Sequence, residues 1–594
     1  MDNFEDKCVE KLRTTLKQQP ESLSTEWFGI WSNYLNQKPY TAGTLDEQSV
    51  NVMQRILEAT TRGDSCIDAD LEAIDYLGNL VLEEKQVSPQ QVAPFVYDQN
   101  YLYLYRYWAL ERALVEQIVR LKQQNIPSIP FMVSEELFSD HHQKQALDTV
   151  VKNSLSIITG GPGTGKTYTL ARIIAVLNRA EPNLRIAMAA PTGKAAQRMK
   201  EALQNSFSDP KLEPYLNKDL KEITPITIHR LLGLGHTYTP KFSAKQPLPY
   251  DLIVVDEASM LDLNLATMLF CAIPDQARLI LLGDAQQLAS VEVGNILADL
   301  QSMNVLSANR MNLVKSRRFK EGALIGEMAK FIQKEHDLTH VLTDFEQNIV
   351  SASQLQDVLL SSEMSDVLQL EYLPEDISSF IDLTHYYDQL FLGFQNYTQV
   401  IQQFEESEFS HDLVLNVVYA FDQYRILTAI RYSYFGLITL NGQIEQRFLN
   451  KTRQIKQGDW YIGRPVMMSY NDYQLGLSNG DIGICFKRGL SDLIPFEVYF
   501  PSLEKWVLAN RLPNNIETAF VLTIHKSQGS EFKHTAVVLD KMATNLLSKE
   551  LIYTAITRAK SVVSLLVDKT AFEQALTIKT VRKSGLLTKI TKLL

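Results

Sequence analysis

The apolar positions of this chain follow three rhythms in succession. Through the first hundred residues they recur at helical spacing, as in Leu71-Glu-Ala-Ile-Asp-Tyr-Leu-Gly-Asn-Leu-Val-Leu82, which predicts a mostly helical unit. The run Tyr101-Leu-Tyr-Leu-Tyr-Arg-Tyr-Trp108 alternates like a strand entering a helix. Its aromatics read as core, or alternatively as a base-stacking platform. Residues 123–130 (Gln-Gln-Asn-Ile-Pro-Ser-Ile-Pro) read as a linker. From about 140 to 330, short apolar strands alternate with helical stretches, with strands predicted at 155–159, 185–190, 252–255 and 278–282. A second such unit resumes after about 416 and ends in strands at 536–540 and 562–567. This is the α/β rhythm of parallel sheets flanked by helices. Residues 461–506 break it: they are strand-rich and punctuated by Gly, Asp and Asn, like a small β-barrel inserted into the second unit. The expected division is 1–125, 126–330 and 331–594, with the β-rich insertion at about 455–515.

Composition narrows the class. The chain has 594 residues, 45% hydrophobic and 21% charged, as expected of a soluble protein of three or four domains. No apolar run approaches the roughly 18 residues a membrane span needs. The start, Met1-Asp-Asn-Phe-Glu-Asp-Lys7, lacks signal-peptide features. Four scattered cysteines (Cys8, Cys66, Cys271, Cys485) show no C-x-x-C spacing and fit thiols in a reducing cytoplasm. A cytoplasmic, multi-domain enzyme is expected. The net charge of −11 divides unevenly, as −10 over 1–140, +5 over 141–330, −15 over 331–415 and +9 over 416–594. Either solvated surface charge happens to cluster, or a basic, polyanion-handling core in two parts carries acidic segments that face protein.

The chemistry begins at Gly160-Gly161-Pro162-Gly163-Thr164-Gly165-Lys166-Thr167, between a predicted strand and a helix at 168–177. Glycines let successive N–H groups curl around phosphate oxygens, Lys166 reaches the β/γ-phosphates, and the Thr167 hydroxyl takes Mg²⁺. About ninety residues on, Ile253-Val-Val-Asp-Glu-Ala-Ser-Met260 sets two carboxylates at a strand end. Asp256 can hold the metal, and Glu257 can orient or deprotonate the attacking water. Leu281-Leu-Gly-Asp-Ala-Gln-Gln-Leu288 ends another strand, where Gln287, in preference to Gln286, can sense the γ-phosphate. Arg318 and Arg558 are candidate arginine fingers.

Thr523-Ile-His-Lys-Ser-Gln-Gly-Ser-Glu531 combines small polar groups, a Lys and a Gly, which suits contact with a phosphodiester backbone. Thr523 and His525 are its candidate contacts, and Glu531 is counted with the nucleotide set. Thr192 and Lys194 in Ala190-Pro-Thr-Gly-Lys-Ala-Ala196, and His229 in Thr227-Ile-His-Arg-Leu-Leu232, are candidate contacts from the first unit.

Taken in order, these residues resemble superfamily 1 helicases, and more narrowly the RecD family, the alpha subunit of bacterial exonuclease V (RecBCD). The likeness runs from about residue 95 onward. It includes Asp140-His-His-Gln-Lys-Gln-Ala146, whose Gln143 matches a glutamine that reads adenine. It also takes in Tyr424-Arg-Ile-Leu-Thr-Ala-Ile-Arg431, Trp460-Tyr-Ile-Gly-Arg-Pro-Val466, Leu477-Ser-Asn-Gly-Asp-Ile-Gly483 and Arg582-Lys-Ser-Gly-Leu586. The resemblance implies an α/β fold of two RecA-like lobes with ATP and Mg²⁺ between them, a helical N-terminal docking domain, and 5′-to-3′ movement along single-stranded DNA from duplex ends. It implies a heterotrimer with RecB-like (beta) and RecC-like (gamma) subunits, the nuclease lying in the beta subunit and the N-terminal domain docking on gamma. Residues 235–249 fall where the family carries a hairpin near the duplex junction. They are short and proline-containing, so strand separation is not assigned to them. A free-standing helicase and an ATP-controlled docking scaffold are the competing readings. DNA-dependence of hydrolysis and co-purifying subunits separate the three.

Overall fold

The computed structural model describes residues 21–35, 47–69, 71–130, 137–138, 140–235, 239–315, 323–336, 339–361, 364–375, 382–472, 474–488 and 495–594. Two parallel sheets organise it. The first runs Arg310–Leu313, Leu155–Gly160, Arg278–Gly283, Leu252–Val255, Ile186–Ala190, Ile226–Thr227 in spatial order. Its four long inner strands are those the apolar runs predict. They are almost continuously buried because successive side chains go to opposite faces and helices cover both. Ile157, Ile253 and Leu279 meet the helices Tyr105–Gln123 and Leu263–Ala272 on one face. Ile158, Val254 and Ile280 meet His141–Lys152 and Lys166–Ala180 on the other.

The second sheet runs Val367–Tyr372, Ala559–Val567, Phe532–Leu539, Tyr424–Thr428, Val521–Thr523, again all parallel. Its first strand comes from the acidic span 331–415, so that span is not only surface: Leu368 and Leu370 are core residues. Thus the expected pair of parallel α/β sheets is present.

The insertion is a five-stranded antiparallel sheet, Lys505–Leu508, Glu497–Phe500, Ile482–Phe486, Pro465–Met467, Glu517–Thr518, around a core that includes Val466, Leu477, Cys485 and Phe500. The sequence predicts a barrel. Among the described residues no pairing joins the two edge strands. Glu517–Thr518 is two residues long, and the chain then passes directly into the second parallel sheet.

The N-terminal unit is mixed rather than mostly helical. Helices Glu21–Leu35, Glu47–Thr61 and Leu71–Leu77 accompany a four-stranded sheet, Cys66–Asp68, Tyr101–Leu104, Phe95–Asp98, Val81–Glu83. Tyr101–Leu104, running straight into helix Tyr105–Gln123, is the strand that the alternation predicts; the other three, of three or four residues, leave no such pattern. Tyr103 and Trp108 are buried, so these two aromatics of the run are core.

The last residues return to the beginning of the chain. Arg582 donates to the carbonyls of Ser290 (2.6 Å), Glu292 (2.8 Å) and Gly294 (2.8 Å). The Lys583 amide donates to Asp64 (2.8 Å). Helix Leu586–Leu593 then lies on helix Tyr105–Gln123, where Lys589 Nζ bonds Glu111 (2.8 Å) and Tyr103 Oη (2.6 Å) and sits 3.4 Å from Asp98. Glu111, Lys589 and Asp98 are 0%, 4% and 3% exposed, an ion cluster enclosed by the N-terminal unit. Burial alone would raise the Asp98 carboxyl; the bond from Lys592 and the charge of Lys589 outweigh it and hold it low.

Candidate nucleotide site and nucleic-acid interface

Strand Leu155–Gly160 delivers the phosphate loop to the N-terminus of helix Lys166–Ala180. Gly163 (φ 73°) and Gly165 (φ 79°) are left-handed, which turns their amides inward. At Gly160 a Cβ would lie 2.6 Å from Thr164 Oγ1 and 2.8 Å from the Leu313 carbonyl, so only glycine lets the loop curl this tightly. Lys166 Nζ donates to the carbonyls of Gly160 (2.6 Å) and Gly161 (3.2 Å). Gln143, fully buried on helix His141–Lys152, lies against the loop: its Nε2 is 3.7 Å from where a Gly165 Cβ would be.

Asp256 and Glu257 follow strand Leu252–Val255. Asp256 Oδ1 accepts the Glu257 amide (2.8 Å), and Glu257 is held left-handed at φ 52°, unusual for a residue with a side chain. Burial, with Glu257 beside it, pushes the Asp256 carboxyl up to about 6, against the opposing charge of Lys166. After strand Arg278–Gly283, Gln287 is buried while Gln286 is exposed. The Asp284 carboxylate accepts from Gln287 Nε2 (3.4 Å), the Gln286 backbone N–H (3.1 Å) and Tyr553 Oη (2.9 Å).

Tyr553 belongs to the second lobe, on helix Lys549–Ile556. From the same helix Thr554 Oγ1 accepts the Leu288 amide (2.7 Å), and nearby Gln528 donates to the Leu288 carbonyl (2.7 Å). Arg558, buried, is held by the carbonyls of Thr554 (3.1 Å) and Ser530 (3.3 Å). These contacts bring the two lobes together around a cleft of about 300 Å³. From the first lobe come the 162–168 loop, Asp256, Glu257 and Gln287; from the second, Glu531 and Arg558. Two cleft groups escaped the sequence reading, Arg198 and the Asp284–Tyr553 bond. Arg198 lies four residues after Lys194 on helix Gly193–Phe207, a spacing that shares a helix face and could have flagged it. Arg318 lies outside the described residues. Among the described residues no cluster of three or more His, Cys, Asp or Glu side chains stands ready for a metal. Thr167 and Asp256 contribute two hard oxygen donors to the cleft.

The candidate nucleic-acid residues sit on facing segments. Thr192 caps helix Gly193–Phe207 by accepting from the Ala195 amide (3.2 Å). Ala190 pairs with Thr227, which brings the His229 segment alongside at the same sheet edge. Across the lobe boundary, a Cβ on Gly529 would lie 3.3 Å from Ala195 Cβ, so the loop that follows Thr523–His525 meets the helix that Thr192 caps. Lys194 sits at this boundary rather than in the open: burial lowers its ammonium to about 8, and its Nζ lies 5.8 Å from the Phe532 ring. His525 and His229 are half-buried, and burial lowers both imidazoles. The 235–249 stretch contributes only a single bridge, Ser243 with Gln246, among its described residues.

Known families match both lobes: the AAA domain over residues 143–293 and the UvrD-like helicase C-terminal domain over 518–566. The RecBCD enzyme subunit RecD of Haemophilus influenzae is 34% identical over 547 residues, covering 84% of this chain and 81% of the relative. The chain belongs to the RecD family. RecD of Mycobacterium tuberculosis is 31% identical over 92% of both chains. The ATP-dependent RecD2 DNA helicase of Deinococcus radiodurans is 27% identical over 70% of this chain and 47% of its own length. Among solved structures, Pif1 helicase from Candida albicans covers 78% of this chain at 16% identity with a TM-score of 0.40. No helix among the described residues is long and apolar enough to cross a membrane.

Proposed function

We propose that this protein is the ATP-driven DNA motor subunit of a RecBCD-type complex in the cytoplasm, moving 5′-to-3′ on single-stranded DNA from duplex ends beside RecB-like and RecC-like partners. In this reading the nuclease lies in the RecB-like subunit, residues 1–125 dock a partner, and residues 126–330 and 331–594 are the motor lobes. The observation that carries it is the shared cleft: phosphate-loop and carboxylate groups from one lobe meet Arg558 and Glu531 from the other.

Lys166 and the loop amides bind and orient the triphosphate. Thr167 and Asp256 would hold Mg²⁺, and the ion would supply charge neutralisation on the phosphates. Glu257 aligns the attacking water and accepts its proton. Arg558 stabilises charge on the transferred group, and Gln287 and Asp284 relay occupancy to Tyr553 and Thr554 across the seam. Because Ala195 meets Gly529 at that seam, opening and closing of the cleft shifts the Thr192 and Thr523 segments relative to each other. That relative motion is translocation.

Single-stranded DNA should stimulate ATP hydrolysis strongly, and Lys166→Gln should bring it to background. Hydrolysis equally fast without nucleic acid would rule out the motor. Native co-purification with two large subunits is expected; a lone, processive unwinding enzyme would instead favour the free-standing helicase.

A further inference from the structure

The cleft contains a pairing that the motor reading leaves unused. Arg198 Nη2 lies 2.7 Å from Glu531 Oε2, with Lys560 Nζ 3.8 Å from the same oxygen. Arg198 is carried by helix Gly193–Phe207 of the first lobe, whereas Glu531 precedes strand Phe532–Leu539 of the second. The pair therefore spans the lobes, and both residues line the nucleotide cleft with Lys166, Asp256 and Arg558.

A surface ion pair between mobile side chains contributes little. This one differs in two respects. The Glu531 side chain is 19% exposed and that of Arg198 31%, so much of the water that would screen them is excluded. The backbones beneath are also already in contact where Gly529 meets Ala195, so little side-chain freedom remains to be lost in closing the pair. Arg198 is anchored from below as well, through the Thr192 cap at the start of its helix. Its charge also bears on Asp256.

We propose that Arg198 and Glu531 form an inter-lobe latch across the mouth of the nucleotide cleft, with Arg198 a positioning residue that acts through Glu531 to set nucleotide release. The proposal rests on the nucleotide reading of the cleft. Its chemistry is simple: the carboxylate held by Arg198 keeps its orientation toward the bound nucleoside and ties the second lobe to the first. Losing the guanidinium frees the carboxylate and loosens the seam. Lys166, Thr167 and Asp256, which grip the phosphates, are untouched. Release should quicken and affinity fall, while the hydrolytic step is largely retained.

The test uses the full-length protein and a fluorescent ADP analogue. Arg198→Ala should raise both the dissociation rate and Kd about tenfold, equivalent to about 1.4 kcal/mol. It should also raise KM for ATP by a similar factor, with DNA-stimulated kcat within about threefold. Arg198→Lys should recover part of the loss. The exchanged pair Arg198→Glu/Glu531→Arg should bind more tightly than either single variant. Unchanged dissociation in Arg198→Ala, or single-variant effects that merely add in the double, would overturn the latch. Wild-type protein that fails to bind the analogue would instead overturn the nucleotide reading itself.

Discussion

Arg558 has two demands on one side chain. Its Nε and Nη1 are tied to the carbonyls of Thr554 and Ser530, which fixes the guanidinium at the cleft wall before any phosphate arrives. Such preorganisation is what an arginine finger needs, and its removal is expected to lower turnover about 10³–10⁵-fold. Arg558→Ala should therefore nearly abolish DNA-stimulated hydrolysis while nucleotide Kd changes only a few-fold. Turnover within tenfold of wild type would remove Arg558 from that role. At this scale the sequence was most legible where a residue sits in a tight local motif. Lys166, Thr167, Asp256, Glu257 and Gln287 all line the cleft as the spacing suggests. Tyr553 was not legible and Arg198 only as a neighbour of Lys194 on one helix face, because each matters through a partner hundreds of residues away. Lys194 read as a candidate nucleic-acid contact, and the sequence did not show that it lies in a seam, since it does not say which lobe will pack over it.

At the level of elements, the buried strands of the first sheet and the alternating Tyr101–Leu104 were the clearest signal, and other strands of two to four residues, such as Cys66–Asp68 and Val81–Glu83, were missed. The middle of the second sheet carries a polar line that no periodicity discloses. His534 Nε2 lies 2.8 Å from Ser564 Oγ, which in turn donates to Gln369 (2.8 Å), linking three adjacent strands. Since the serine proton goes to Gln369, Nε2 carries the hydrogen and donates to Ser564. Burial pushes this imidazole down to about 3. It stays neutral in the folded chain but charges in the unfolded chain below about 6.5, so the unfolded chain binds the additional proton. Stability is therefore lost as pH falls from about 6.5 toward 3, by about 2 kcal/mol at pH 5. In His534→Gln the drop in urea midpoint between pH 7.5 and 5.0 should be smaller than in wild type. Equal drops would show that another group governs acid sensitivity.

Over the whole molecule, the charge partition marked the two basic blocks that hold the motor motifs. It misjudged the acidic span, which supplies the outer strand of the second sheet. Nothing in the sequence showed that the two ends of the chain meet. A contact between residues 478 positions apart leaves no local signature. Yet the Lys589–Glu111–Asp98 cluster makes the molecule sensitive to a single change. Lys589→Ala leaves Glu111 enclosed without its cation and Asp98 with Lys592 alone, and breaking such a buried pair costs about 3–5 kcal/mol. Hydrogen exchange of residues 101–121 should accelerate markedly in that variant. The isosteric pair Lys589→Met/Glu111→Gln should be protected better than Lys589→Ala alone. Unchanged exchange in Lys589→Ala would mean the cluster does not hold the N-terminal unit.

This closure also sets an order of birth. Chains are made from the N-terminus at about 5–20 residues per second, and domains usually fold as they emerge. The N-terminal unit cannot complete its buried ion cluster then, because Tyr103, Glu111 and Asp98 wait for a lysine made 478 residues after Glu111. That is a delay of about 25–95 s with an uncompensated acidic interior. During that interval the first part of the protein to be made is the last to be finished. A ribosome that stalls before residue 589 would release both motor lobes largely complete beneath a unit unable to close. Truncation there would be recognised by the cell as misfolding at the opposite end of the chain.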